Sequence, residues 1–149
     1  MMASSAPAVH ASRVARNLWV GAAPPPGDYS RELDVIVLVA SDYQPNAKAF
    51  PKVSVRHHPF DDTARPAKQD VVAAAKAARE VATDLKAGKR VLVTCRMGRN
   101  RSGFVAALAL RLLGVPAKDA LRVVRSRRKD ALGVRAISNP EFQRLLLRT

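Results

Sequence analysis

The sequence holds a single cysteine, Cys95, among 149 residues. That excludes an intramolecular disulfide framework and any metal site built from several thiolates, and leaves the chemistry of one lone thiol. Aromatic residues are only 5% of the chain, and none interleaves with the arginines from Arg122 to Arg128. The stacking platforms of a single-strand nucleic-acid binder are therefore missing. Long apolar runs are absent too. The longest, Phe104 to Leu110, stops at Arg111, far short of the roughly 20 residues that cross a bilayer. Acids are scarce, 12 against 26 Lys plus Arg, for a formal net charge of +14 at pH 7. The scarcity is local: between Lys86 and Lys129 the lone acid Asp119 stands among thirteen basic residues. Such an excess predicts an anionic substrate or partner rather than any particular fold.

What is present is ordinary globular material, 48% hydrophobic and 26% charged, of a length that suits one domain. The first 27 residues lack an apolar secretory core and carry Ser4, Ser5, Ser12, Arg13 and Arg16 with no acid before Asp28. That composition overlaps with organellar transit peptides. Residues 1–16 read as a flexible N-terminal segment, residues 17–149 as a single domain, and the cytoplasm as the expected location.

Asn17 to Gly21 reads as a short strand, ended where Pro24, Pro25 and Pro26 oppose both helix and ladder. Asp34 to Ala40 is a continuous, β-branched apolar run after an acid, the pattern of a strand buried on both faces of a parallel sheet. Val53 to His58 alternates with period two and gives a third strand, followed by a polar loop, Phe60 to Pro66, that holds Asp61 and Asp62. Val71, Ala75, Ala78, Val81 or Ala82, and Leu85 recur at helical spacing, predicting a helix from Ala67 to Ala87 that Gly88 ends. Arg90 to Thr94 is a buried strand, and Arg101 to Leu113 and Pro116 to about Lys129 are helices. Asn139-Pro140 opens a last helix with an N-cap and a first-position proline. The order predicts an α/β fold, an open, mainly parallel sheet of four or five strands with helices on both faces.

Between the last strand and the helix that follows lies Cys95-Arg-Met-Gly-Arg-Asn-Arg-Ser102. Loops after strands are where such sheets bind ligands. The far end of this one is a helix N-terminus, whose unpaired N–H groups and dipole favour an anion and favour thiolate over thiol. Arg101 supplies a planar fork that grips two phosphate oxygens, which a lysine cannot do. His57 and His58, adjacent on a strand, point to opposite faces and have no companion ligand cluster, so no metal is expected. Trp19 reads as core. Lys118, Arg122, Arg125 and Lys129 form one basic stripe opposite Ala120, Leu121 and Val124.

Cys-x5-Arg-Ser after a strand, with an Asp loop upstream, resembles the cysteine-dependent protein tyrosine phosphatases, specifically the small dual-specificity phosphatases. Leu18 to Gly21 is similar to the family's opening strand, Asp34 to Ala40 to its second, and Asn139 to Phe142 to its closing helix, so the resemblance spans roughly residues 17–147. The low-molecular-weight branch has the opposite order, cysteine loop first and Asp after. The resemblance implies that Cys95 attacks phosphorus to form a cysteinyl-phosphate, that Arg101 stabilises the equatorial oxygens, and that no cofactor or metal takes part. It implies that Asp62, in Pro59-Phe-Asp-Asp62, protonates the leaving oxygen and later activates water, with Asp61 the less favoured alternative. Ser102 is expected to hydrogen-bond the sulfur, and Arg96, Met97, Gly98, Arg99, Asn100 and Arg101 to bind the phosphate. Thr94 stands where the family normally has His before the cysteine.

The implied substrates are phosphotyrosine and phosphoserine or phosphothreonine in proteins, taken in a shallow site. Arg96 and Arg99 occupy positions where tensin-like phosphoinositide phosphatases carry lysines, and Asn100-Arg101 is similar to a pair in RNA triphosphatases. A phosphoinositide, inositol phosphate or RNA 5′-triphosphate is thus an alternative substrate, and a phosphate-binding relative without turnover is the remaining one.

Overall fold

A computed structural model describes residues 10–149. Residues 1–9, which hold part of the transit-peptide-like composition, lie outside the described residues. Five strands, β1 (Ala11–Ala15), β2 (Leu18–Gly21), β3 (Val35–Ala40), β4 (Ser54–Phe60) and β5 (Val91–Thr94), form one sheet in the order β1-β2-β5-β3-β4. The β2/β5, β5/β3 and β3/β4 pairs are parallel, and β1 lies antiparallel on β2.

Strand β1 falls inside the segment expected to be flexible, so the sheet begins at Ala11. Asn17 adopts a φ of 61°, a left-handed conformation that Asn tolerates. It turns the chain back at once and buries Val14 completely. Strand β4 runs on through Pro59 to Phe60, which its place at the sheet edge permits because proline there forfeits no ladder bond.

Among the described residues the α-helices are α1 (Lys68–Lys86), α2 (Arg101–Leu112), α3 (Ala117–Arg127) and α4 (Pro140–Leu147). All four contribute to the core on one face of the sheet, against Val35, Val37, Val39, Val91 and Val93. On the other face Trp19, Ile36, Leu38 and Leu92 are covered by Tyr29, Leu33 and Phe50. This corrects the expectation of helices on both faces. The prolines after β2 oppose a helix there, so Tyr29 and Leu33 of that segment, with Phe50 at the end of a 3-10 turn (Ala47–Ala49) between β3 and β4, exclude the water instead.

The buried stripe of α1 is Ala74, Ala77, Ala78, Val81 and Ala82, rotated from the Ala75 phase. The rotation brings Asp84 inward, where it accepts from both terminal nitrogens of Arg56 on β4 at 2.7 and 2.9 Å. Helix α3 stops at Arg127 rather than near Lys129, because Arg128 turns extended and enters the interior. Lys129 is therefore off the helical stripe.

Candidate active site

The carboxyl ends of β3, β4 and β5 deliver three loops to one place, as parallel topology dictates. The loop after β5 is shaped by where its carbonyls go. Arg96 O accepts from Ala23 N (3.3 Å), Met97 O from Arg128 Nη2 (3.1 Å), Gly98 O from Arg128 Nε (2.8 Å) and Arg99 O from Ile137 N (3.0 Å). All four acceptors are engaged outside the loop. In a planar trans peptide N–H lies opposite C=O, so the N–H groups of Met97, Gly98, Arg99 and Asn100 converge inside it. Among the described residues none of these four donates to another group of the chain.

That interior is a cavity of about 50 Å³ lined by Asp62, Cys95, Arg96, Met97, Arg99, Asn100 and Arg101. It is several times the ~10–15 Å³ that one water requires, and far below the ~300–1,000 Å³ of sites that engulf a whole ligand. Cys95 is buried with its Sγ 3.0 Å from Ser102 Oγ. Arg101 is nine-tenths buried; its Nη1 donates to Phe60 O and meets Asp42 Oδ1, both at 3.2 Å. Its Nε is buried with no acceptor, a donor that an anion in the cavity would satisfy.

Asp62 stands at the rim. Asn100 Nδ2 donates to its Oδ2 and Asn139 Nδ2 to its Oδ1, both at 2.9 Å. Asn100 is itself fixed, its Oδ1 accepting from Ser138 Oγ at 3.1 Å and Asn139 N at 2.9 Å. Asp61 is directed elsewhere, accepting from Ser41 Oγ. The structure thus brings Cys95, Arg101, Ser102 and Asp62 together with the loop residues and leaves Asp61 outside.

Arg99 lines the cavity, yet its Nε is committed to the buried carboxylate of Asp130 at 2.5 Å. Burial alone would raise the Asp130 carboxyl, but the N–H groups of Val134 and Leu132 and the Arg99 guanidinium outweigh it and hold it below the usual carboxylate value. The charge of Arg99 is therefore largely balanced from within. Arg96 remains mostly exposed, 3.9 Å from Asp42. His57 and His58 are held separately, His57 Nδ1 by Gln44 and His58 Nε2 by Glu80.

Four participants were not singled out as site residues from the sequence. Asn139 was visible only as an N-cap, which it is, its Oδ1 accepting from Glu141 N; its amide has a second use on Asp62. Asp42 carried no signal beyond lying after a strand. Asp130 and Arg128 were hidden in a basic stretch.

Gly98 has a φ of +67°, and a Cβ there would meet Gly21 C at 2.4 Å and Ala22 N at 2.6 Å. The left-handed penalty and the backbone overlap together predict that Gly98→Ala destabilises the protein by ~2–4 kcal/mol. It should also weaken competitive inhibition by inorganic phosphate. Urea unfolding and inhibition kinetics measure the two.

The profile described as "Tyrosine phosphatase family" matches residues 13–122. The chain belongs to that family and is a cysteine-based phosphatase. No curated protein matches it. Among solved structures, human DUSP28 superposes with a TM-score of 0.72 at 21% identity, over 92% of this chain and 95% of that one. Tk-PTP in its active form gives 0.71 at 25%, over 95% and 97%, and PTPMT1 gives 0.66 at 17%, over 93% and 96%. The sheet and its helices share the dual-specificity phosphatase fold. Among the described residues no helix is long and apolar enough to cross a membrane.

Proposed function

We propose that the chain hydrolyses phosphomonoesters on protein side chains, tyrosine and serine or threonine alike, through a cysteinyl-phosphate on Cys95. The observation that carries this reading is the convergence of four unpaired N–H groups and the orphaned Arg101 Nε on one small cavity that also holds Cys95. A cavity of this size accepts the phosphoryl group and leaves the rest of the substrate on the surface, which suits side chains of different lengths.

In the first step the Cys95 thiolate bonds to phosphorus as the bond to the leaving oxygen breaks, and Asp62 gives that oxygen its proton. The loop N–H groups and Arg101 receive the charge spread over the equatorial oxygens, with no metal in this scheme. In the second, water attacks phosphorus, Asp62 takes its proton, and the S–P bond breaks. Ser102 Oγ–H donates to the sulfur as negative charge returns to it.

A second reading, a substrate with several phosphates, is favoured by Arg96, which is exposed at the mouth. Arg99 supports it less than its spacing suggested, because its Nε is tied to Asp130. The test is hydrolysis of a small aryl phosphate in EDTA, followed by phosphate release from phosphopeptides, phosphoinositides and triphosphorylated RNA. Metal-free activity with phosphopeptides preferred is expected, and Arg96→Ala should change kcat/KM for phosphopeptides by less than ~threefold, as a rim charge does. Preference for a polyanion, lost with Arg96→Ala, would install the second reading. Inactivity throughout pH 5–8 would mean phosphate binding without turnover.

A further inference from the structure

Arg128 is the bulkiest fully buried side chain among the described residues. It does not line the cavity; it lies behind the loop, where α3 ends. Its Nε and Nη2 hold the carbonyls of Gly98 and Met97, at 2.8 and 3.1 Å, while its Nη1 donates to Ser12 Oγ of β1 at 3.2 Å. Among the described residues no carboxylate forms an ion pair with it; the charged groups that act on it are Cys95 and Asp130. Burial pushes its guanidinium below the ordinary value, and those two groups act the other way.

Two consequences follow from geometry. Adjacent peptides whose carbonyls are held by one planar guanidinium must present the N–H groups of Gly98 and Arg99 on the opposite side, toward the phosphate. A buried cation with no carboxylate against it is costly, and the carbonyls of Met97 and Gly98 that it holds are what compensate it. The groups lining the Cys95 cavity are Asp62, Arg96, Arg99 and Arg101; Ser102 touches the sulfur, and Arg128 lies behind.

We propose that Arg128 is the positioning residue of the phosphate loop: its fork, on the carbonyls of Met97 and Gly98, aims two loop N–H groups at the phosphate. The inference rests on the Cys95 phosphatase reading. Because Cys95 is the sole cysteine, iodoacetamide modifies that thiol alone. Arg128→Gln removes the charge, whereas Arg128→Lys keeps the charge and loses the fork.

In folded Arg128→Gln, checked by circular dichroism, inorganic phosphate should inhibit only at a concentration at least about threefold higher than in wild type. Arg128→Lys should likewise need at least about threefold more inorganic phosphate for the same inhibition, as a point charge cannot replace the fork. A purely structural arginine would lower the unfolding temperature and leave phosphate inhibition of the folded variants unchanged. Folded Arg128→Gln or Arg128→Lys with wild-type phosphate inhibition overturns the clamp. If Arg128→Gln does not fold, Arg128→Lys decides, and unaltered phosphate inhibition there overturns the proposal. A wild-type enzyme that stays active after complete labelling of Cys95 sinks the parent reading instead.

Discussion

Cys95→Ser is expected to remove on the order of 10⁴ or more of the phosphatase activity, the scale of losing a nucleophile that works as one unit with its neighbours. Its folding should survive, because a hydroxyl replaces a sulfur already 3.0 Å from Ser102 Oγ, a hydrogen-bonding neighbour. Phosphate affinity should survive as well, since the donors belong to the loop backbone and to Arg101 rather than to the sulfur. Steady-state hydrolysis of an aryl phosphate, with phosphate binding measured by calorimetry, separates the two effects. Loss of binding together with activity would mean that the loop had collapsed.

Asp62→Asn carries the second large effect. A general acid contributes ~10²–10⁴ in rate, and the loss should be greatest for substrates with poor leaving groups, because a good leaving group departs without its proton. The structure adds a reason for the position as well as the chemistry. Asn100 and Asn139 hold the two carboxylate oxygens separately, so Asp62 is oriented over the cavity. Asp61→Asn should change little, since that carboxylate turns toward Ser41. A leaving-group series run on both variants checks the assignment, and the reverse result would transfer the role to Asp61.

The parts of the site legible in the sequence are those with a local cause. A continuous apolar run such as Val35 to Ala40 can be satisfied only between two covered faces, and a strand that ends at Cys95 before a helix starting at Arg101 must build a loop that faces an anion. The rest depended on distant partners. Ser12 and Arg13 look like terminal polar residues until Asn17 reverses the chain and β2 pairs with them.

Arg128 looks like any other cation in a basic stretch, because a one-dimensional charge count cannot distinguish a solvated guanidinium from one that ends beneath Gly98. Arg99 illustrates the opposite case. Its spacing from the cysteine suggested a free cation for the substrate, but Asp130, 31 residues away in sequence, takes up its Nε. The prolines after β2 announced an irregular segment, yet not that Tyr29 and Leu33 would bury themselves on the sheet face in place of a helix.

The account turns on a covalent bond between Cys95 and phosphorus. Acid quench during turnover, followed by intact mass and peptide mapping, tests it directly in a chain whose sole cysteine is Cys95. The predicted result is one phosphoryl group, acid-stable and confined to the peptide that carries Cys95, absent from Cys95→Ser. Sustained phosphate release with no phosphoenzyme at any time point, and activity that persists in Cys95→Ser, would contradict it.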